Sequence, residues 1–156
     1  MVKLEWDASL ASASQSWANK CIWGHDPKNS QNAWGENLAI VSGNRNVDAA
    51  WLESRIEHGW YDEVEHVQVP WADTGLVAKN YADPRSKCPS AYDSANQKCM
   101  IGHYTQVVWA KTTKVGCAVS FCDSVRGFVA GTYLVCKYNP PGFQGTFGVN
   151  YENYWK

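Results

Sequence analysis

The chain has no long apolar run, almost no net charge and no odd cysteine, and each shortfall narrows what it can be. No stretch reaches the roughly 18 to 20 apolar residues that a membrane-spanning helix needs. Fourteen Lys and Arg face 15 Asp and Glu, for a formal net charge of −1. That balance provides neither the basic footprint of a nucleic-acid binder nor an attraction for anionic lipid. The usual catalytic signatures are missing as well: no Gly-x-Ser-x-Gly elbow, no Gly-rich phosphate loop, no His-Glu-x-x-His helix and no acidic calcium loop. There is no Asn-x-Ser/Thr glycosylation site. The opening Met1-Val2-Lys3-Leu4-Glu5-Trp6-Asp7 puts charges where the apolar core of a signal peptide would lie.

What is present is a chain of 156 residues, 45% apolar, with nine Trp and six Cys. That length implies one domain with a substantial core, spanning 1–156. The cysteines, at 21, 88, 99, 117, 122 and 136, are even in number and lack the two-residue spacing of a zinc knuckle. Disulfides are the better reading, and they place the protein in an oxidising, extracellular setting. Pairing leaves no cysteine to act as a nucleophile. A secreted protein without a leader implies a mature form or a piece of a longer chain.

Leu10, Ala13, Trp17 and Cys21 recur at helical spacing behind Asp7, a good N-cap, so Asp7 to Cys21 is expected to be an amphipathic helix. Gly24 to Trp34 is a polar loop, and Gly35 to Val41 follows before Ser42-Gly43-Asn44 breaks the chain. Helical character returns from Val47 to His66, interrupted near Gly59, and Val67 to Cys99 is long and irregular. Tyr104, Val107, Val108 and Lys111 predict a short helix. Lys114 to Ser120 and Phe128 to Tyr138 predict an antiparallel hairpin, ended by Asn139-Pro140-Pro141-Gly142. Helices first, strands late and no βαβ alternation give an α+β domain with a small antiparallel sheet covered by helices.

Of the four histidines, His25 and His103 directly follow glycines, whose tight turns aim an imidazole into a cleft. Gly102-His103-Tyr104-Thr105-Gln106-Val107-Val108-Trp109 resembles the first signature of the CAP superfamily of cysteine-rich secretory proteins, venom antigens and plant pathogenesis-related proteins. Tyr133 to Gly142 resembles the second signature, with Lys137 standing where the family usually has Asn, His or another uncharged or ring residue. Gly35-Glu36-Asn37-Leu38, Trp60-Tyr61-Asp62-Glu63 and Leu4-Glu5-Trp6-Asp7 resemble three further landmarks, so the resemblance spans nearly the whole chain. Trp6, Trp60 and Trp109 lie inside these landmarks and are expected to anchor helices to the sheet. The family's first helix, with its His-Asn and Arg, is absent before Leu4, which implies a natural protein longer at its N-terminus. The cysteine-rich C-terminal module is also absent.

The resemblance implies a disulfide-stabilised three-layer α-β-α sandwich. Its pairing would be Cys21 with Cys122, Cys117 with Cys136 and Cys88 with Cys99, whereas the sequence by itself leaves fifteen pairings open. It further implies a cleft built from His25, Glu36, Glu63 and His103, a competent ligand set for zinc or another borderline divalent ion. Glu63 is preferred to Glu53 because the family carries Trp-x-x-Glu, and Trp60 supplies that spacing where Trp51 does not. The function implied is a secreted binding protein with a metal cleft and, as in some members, a groove for a sterol or fatty acid. Trp71, Leu76 and Val77 would line that groove, although such side chains also serve simply to cap a core. One competing reading is a hydrolase using His25 or His103 as base or a zinc-bound water, with Ser42 and Thr105 the nearest hydroxyls. Another is an allergen-like or immune-modulating ligand for a protein receptor, presenting Tyr151, Tyr154 and Trp155.

Overall fold

The structure, a computed structural model, describes residues 3–43, 46–68, 77–78, 92–93, 98–99 and 101–142. Strand β1 (Glu5–Trp6) leads into helix α1 (Ala8–Ala18). Asp7 caps α1 as its sequence position predicts, its carboxylate accepting from the backbone N–H of Ser9 at 2.8 Å and of Leu10 at 3.1 Å. Leu10, Ser14, Trp17 and Ala18 form the buried stripe, and the helix stops three residues short of Cys21. The polar loop holds one short helix, α2 (Lys28–Asn32), before strand β2 (Gly35–Ser42). Helix α3 (Ala49–Gly59) is capped by Asp48, and a 3₁₀ helix over Tyr61–His66 follows the break at Gly59. Two-residue strands β3 (Val67–Gln68) and β4 (Val77–Ala78) pair with each other, as do β5 (Tyr92–Asp93) and β6 (Lys98–Cys99). Helix α4 (Gly102–Val107) ends before Val108 and Lys111, shorter than the apolar spacing suggested.

Strands β7 (Lys114–Val125) and β8 (Phe128–Asn139) form the predicted hairpin, with β7 running five residues past Ser120. Only Arg126 and Gly127 lie between them, at φ +51° and +79°. Positive φ at both positions is the type I′ geometry whose twist suits a two-residue hairpin. The central sheet has the order β1-β7-β8-β2, antiparallel except for the short parallel pairing of β1 with β7.

β8 explains the layering. Its side chains alternate between faces, yet every residue from Gly131 to Tyr138 is buried. Tyr133 and Val135 pack with Trp17, Ala18, Leu38 and Cys122 on one face. Leu134, Cys136 and Tyr138 pack with Trp60, Trp51, Leu52 and Val107 on the other. A strand buried on both faces is the middle of three layers, so α1 lies over one side and α3, the 3₁₀ helix and α4 over the other. The expected α-β-α sandwich is therefore the one observed. α1 approaches β7 so closely that a Cβ on Gly116 would stand 2.2 Å from the backbone nitrogen of Ala11.

Two of the three implied disulfides are formed, Cys21–Cys122 and Cys117–Cys136. The second joins residues directly opposite on β7 and β8. Cys88 lies outside the described residues. Of the three landmark tryptophans, Trp60 is buried and Trp109 half-buried, but Trp6 is 64% exposed on the short edge strand and joins none of the core clusters among the described residues.

Candidate functional site

β2 is the longer of the two edge strands of the sheet, so groups from both helical layers reach one place beside it. From the α1 side comes the loop that carries His25. Its Gly24 adopts φ +144°, a backbone state that side chains disfavour, and its carbonyl accepts from Trp17 Nε1 at 2.8 Å and from Tyr133 Oη at 3.3 Å. Burial, and then the nearby Glu36 charge, push the Tyr133 hydroxyl up to about 12, so it stays a neutral donor. His25 Nδ1 donates to Glu36 Oε1 at 2.9 Å, and the same oxygen accepts from the Asp26 backbone N–H at 3.1 Å.

From the opposite layer comes α4. His103 Nδ1 donates to Glu63 Oε1 at 2.7 Å, while Glu63 Oε2 accepts from the backbone N–H groups of His103 at 3.0 Å and Tyr104 at 3.1 Å. Trp60 stacks on the His103 ring, with centroids 6.0 Å apart and planes at 12°, and its Nε1 donates to the Leu38 carbonyl on β2. Asn37 Nδ2 donates to the His103 carbonyl, fastening α4 to the same strand. Gly102 supplies no left-handed turn, unlike Gly24, and simply opens α4.

The four residues singled out from the sequence are thus assembled as two His–Glu pairs, one from each face of the sheet. Both histidines line one cavity of about 430 Å³, together with Trp23, Trp34, Arg126 and the start of β2. Both glutamates have side chains only 1% exposed, so they sit behind the rings. Among the described residues, no group of three or more His, Cys, Asp or Glu side chains converges as a ready metal cage. Glu53 lies in a separate groove on α3 beside Ile56 and Glu57. His58 is exposed and pairs with Asp62 at 3.0 Å, whereas His66 is buried. Trp71 and Leu76, proposed for a lipid groove, lie outside the described residues, and Val77 is described only through its backbone pairing with Gln68. Thr105 Oγ1 donates to the Gly102 carbonyl, and Ser42 sits at the far end of β2 opposite Gly131. Neither hydroxyl is hydrogen bonded to an imidazole.

Lys137 organises the site in a way the sequence did not foretell. It lies across from Glu36 in the β2–β8 register and is fully buried. Its ammonium donates to Glu36 Oε2 at 2.7 Å, to Asp26 Oδ2 at 3.2 Å and to Asn29 Oδ1, with the Trp34 ring 5.6 Å away. Burial would raise the Glu36 carboxyl, but hydrogen bonds from His25 and Lys137 outweigh it and hold that group below its ordinary value. Asp26 is likewise held low against burial, by the Lys28 N–H and then Lys137. A lone charge inside an otherwise apolar strand was the available signal, since such a charge demands buried partners. Nothing local in the sequence named those partners.

The arrangement defines a disulfide-bonded α-β-α sandwich in which two histidines, each hydrogen bonded to a buried glutamate, line a cavity at the sheet edge. Consistent with this, residues 1–138 match the family model for the cysteine-rich secretory protein family, CAP, and the chain belongs to that family. It is 33% identical over 150 residues to peptidase inhibitor 15-A of Danio rerio and 34% identical over 145 residues to human peptidase inhibitor 16. These alignments cover 91% of this chain but only 49% and 25% of those proteins, so the chain spans half or less of their length. The crystal structure of Na-ASP-1 shares the fold with a TM-score of 0.63 at 24% identity, over 92% of this chain and 31% of that one. NaASP2, crystallised with Zn²⁺, gives a TM-score of 0.60 at 25% identity, over 91% and 62% respectively.

Proposed function

We propose that this protein is an extracellular binding module whose cavity takes a divalent cation, zinc in the first instance, on His25 and His103. The observation that carries the reading is that each imidazole uses Nδ1 to donate to a buried glutamate. Histidines that ligate metals characteristically donate their other ring nitrogen to a carboxylate, which fixes the tautomer and raises the basicity of Nε2. On this reading Glu36 and Glu63 orient the rings from behind, and Nε2 of each ring is the donor atom. A bound cation would supply a fixed positive charge and Lewis acidity in the cavity. The crystallisation of NaASP2 with Zn²⁺ supports the choice of metal. Binding is favoured over hydrolysis by a side-chain nucleophile because neither Ser42 nor Thr105 is placed against an imidazole base. The two disulfides and the family's secretory character support an extracellular setting.

Calorimetric zinc titration tests this. Wild type should bind, His103→Ala should lose binding, and Glu63→Gln should weaken it by about 10- to 100-fold, the usual effect of removing an orienting carboxylate. Equal binding by wild type and His103→Ala would overturn the assignment.

A further inference from the structure

The acids at the cavity are already satisfied, while one cation on its rim is not. Glu36 is met by His25 and Lys137, and Asp26 by Lys137 and the Lys28 N–H. Glu63 is spent on His103 and two backbone N–H groups. Arg126, by contrast, is exposed, lines the same cavity, and has no carboxylate partner among the described residues. Its guanidinium lies 4.7 Å from the centroid of the Trp23 ring, and Trp23 in turn packs against Tyr133 with centroids 5.8 Å apart. Contact with a ring does not use the N–H donors of a guanidinium as hydrogen bonds to an anion would, and a planar carboxylate is the best geometric match for those donors.

The backbone adds an independent observation. Arg126 occupies the first central position of a type I′ turn at φ +51°, where Asn, Asp or Gly fit with less strain. Strained non-glycine residues of this kind cluster at ligand-binding sites. The cavity, at about 430 Å³, falls within the size range of small-ligand sites, and the Trp23 and Trp34 rings give it apolar walls.

We propose that Arg126, held over the Trp23 ring, forms an anion subsite through which the cavity accepts a carboxylate carried on an apolar or aromatic body. The subsite is built from the β7–β8 turn and Trp23 and does not depend on a metal at His25 and His103.

Phenylacetate and its uncharged isostere phenylacetamide are suitable probes, followed by ligand-observed NMR and calorimetry in the presence of EDTA. Phenylacetate should bind wild type at least about tenfold more tightly than the amide, a difference of about 1.4 kcal/mol. Arg126→Gln should reduce phenylacetate to the level of the amide while leaving the amide unchanged, and Arg126→Lys should restore part of the preference. The exposed position of Arg126 and retention of Gly127 keep the turn in these variants, which a circular dichroism melt verifies. Equal binding of acid and amide, an unaffected Arg126→Gln variant, or no phenylacetate binding up to about 10 mM would each overturn the proposal. Because EDTA removes any metal, these outcomes are separate from those of the zinc titration.

Discussion

A lysine with no exposed surface persists only when its charge is met, and Lys137 is met by two carboxylates and an amide oxygen. Removing one member of a buried ion pair leaves the other uncompensated, which costs about 3–5 kcal/mol. Lys137→Met should therefore lower unfolding stability in urea by about that amount, because Glu36 and Asp26 would both lose their cation. A change below about 1 kcal/mol would show that water reaches these carboxylates. The same network sets an acid limit. Glu36 and Asp26 are both held below their ordinary values of 4.5 and 3.8, so their stabilisation is complete above those values and is lost as pH falls through the depressed folded-state values. Urea midpoints should thus drop as the pH is taken below 4.5, and Lys137→Met should show a flatter acid limb. Residue by residue, the resemblance to the family pointed to His25, Glu36, Glu63 and His103, because short motifs carry that resemblance. Asp26, Asn29, Trp23 and Arg126 escaped, because they join the site only through pairing and packing across distant segments.

Among the elements, α1 and the β7–β8 hairpin were the most legible, since periods of 3.6 and 2 with an Asp cap are local properties. β2 was not identified as a strand, because its half-buried edge position breaks the alternation that marks one. α4 ended early for a related reason: Val108 and Trp109 are apolar at helical spacing, yet the chain must leave the helix to reach β7. The seating of α1 on β7 depends on Gly116, where an added methyl would meet backbone rather than a side chain able to move. Gly116→Ala should cost about 1–3 kcal/mol by overpacking and lower the melting temperature by several degrees in calorimetry. An unchanged melting temperature would mean that α1 shifts without penalty.

For the whole molecule, the two disulfides have different reach. Cys21–Cys122 closes a separation of 101 residues and ties the chain beyond α1 to the sheet, whereas Cys117–Cys136 closes 19 within a hairpin already paired. In the chain-entropy account the longer loop is worth about 4–5 kcal/mol and the shorter about 3. Replacing Cys21 and Cys122 together by Ala should accordingly destabilise more, in guanidinium titrations, than replacing Cys117 and Cys136. The reverse order would place the stabilisation in native packing rather than in the unfolded chain. The architecture also explains the position of the cavity. A middle-layer sheet isolates its two faces, so groups from α1's side and α4's side can approach each other only around an edge, and β2 is the edge that carries Glu36 and Asn37.

By itself the amino-acid sequence determined the α+β class, the cap and stripe of α1 and the hairpin, each of which follows from neighbours within a few residues. The two histidines and two glutamates came from the family resemblance that its short motifs carry. Only the tertiary structure decided that the glutamates stand behind the rings and not beside them, and that Lys137 neutralises one of them. Only it brings Arg126 from the hairpin turn to the rim of the same cavity. Those outcomes depend on strand register and on which face of the sheet a side chain meets, and long-range pairing alone sets both.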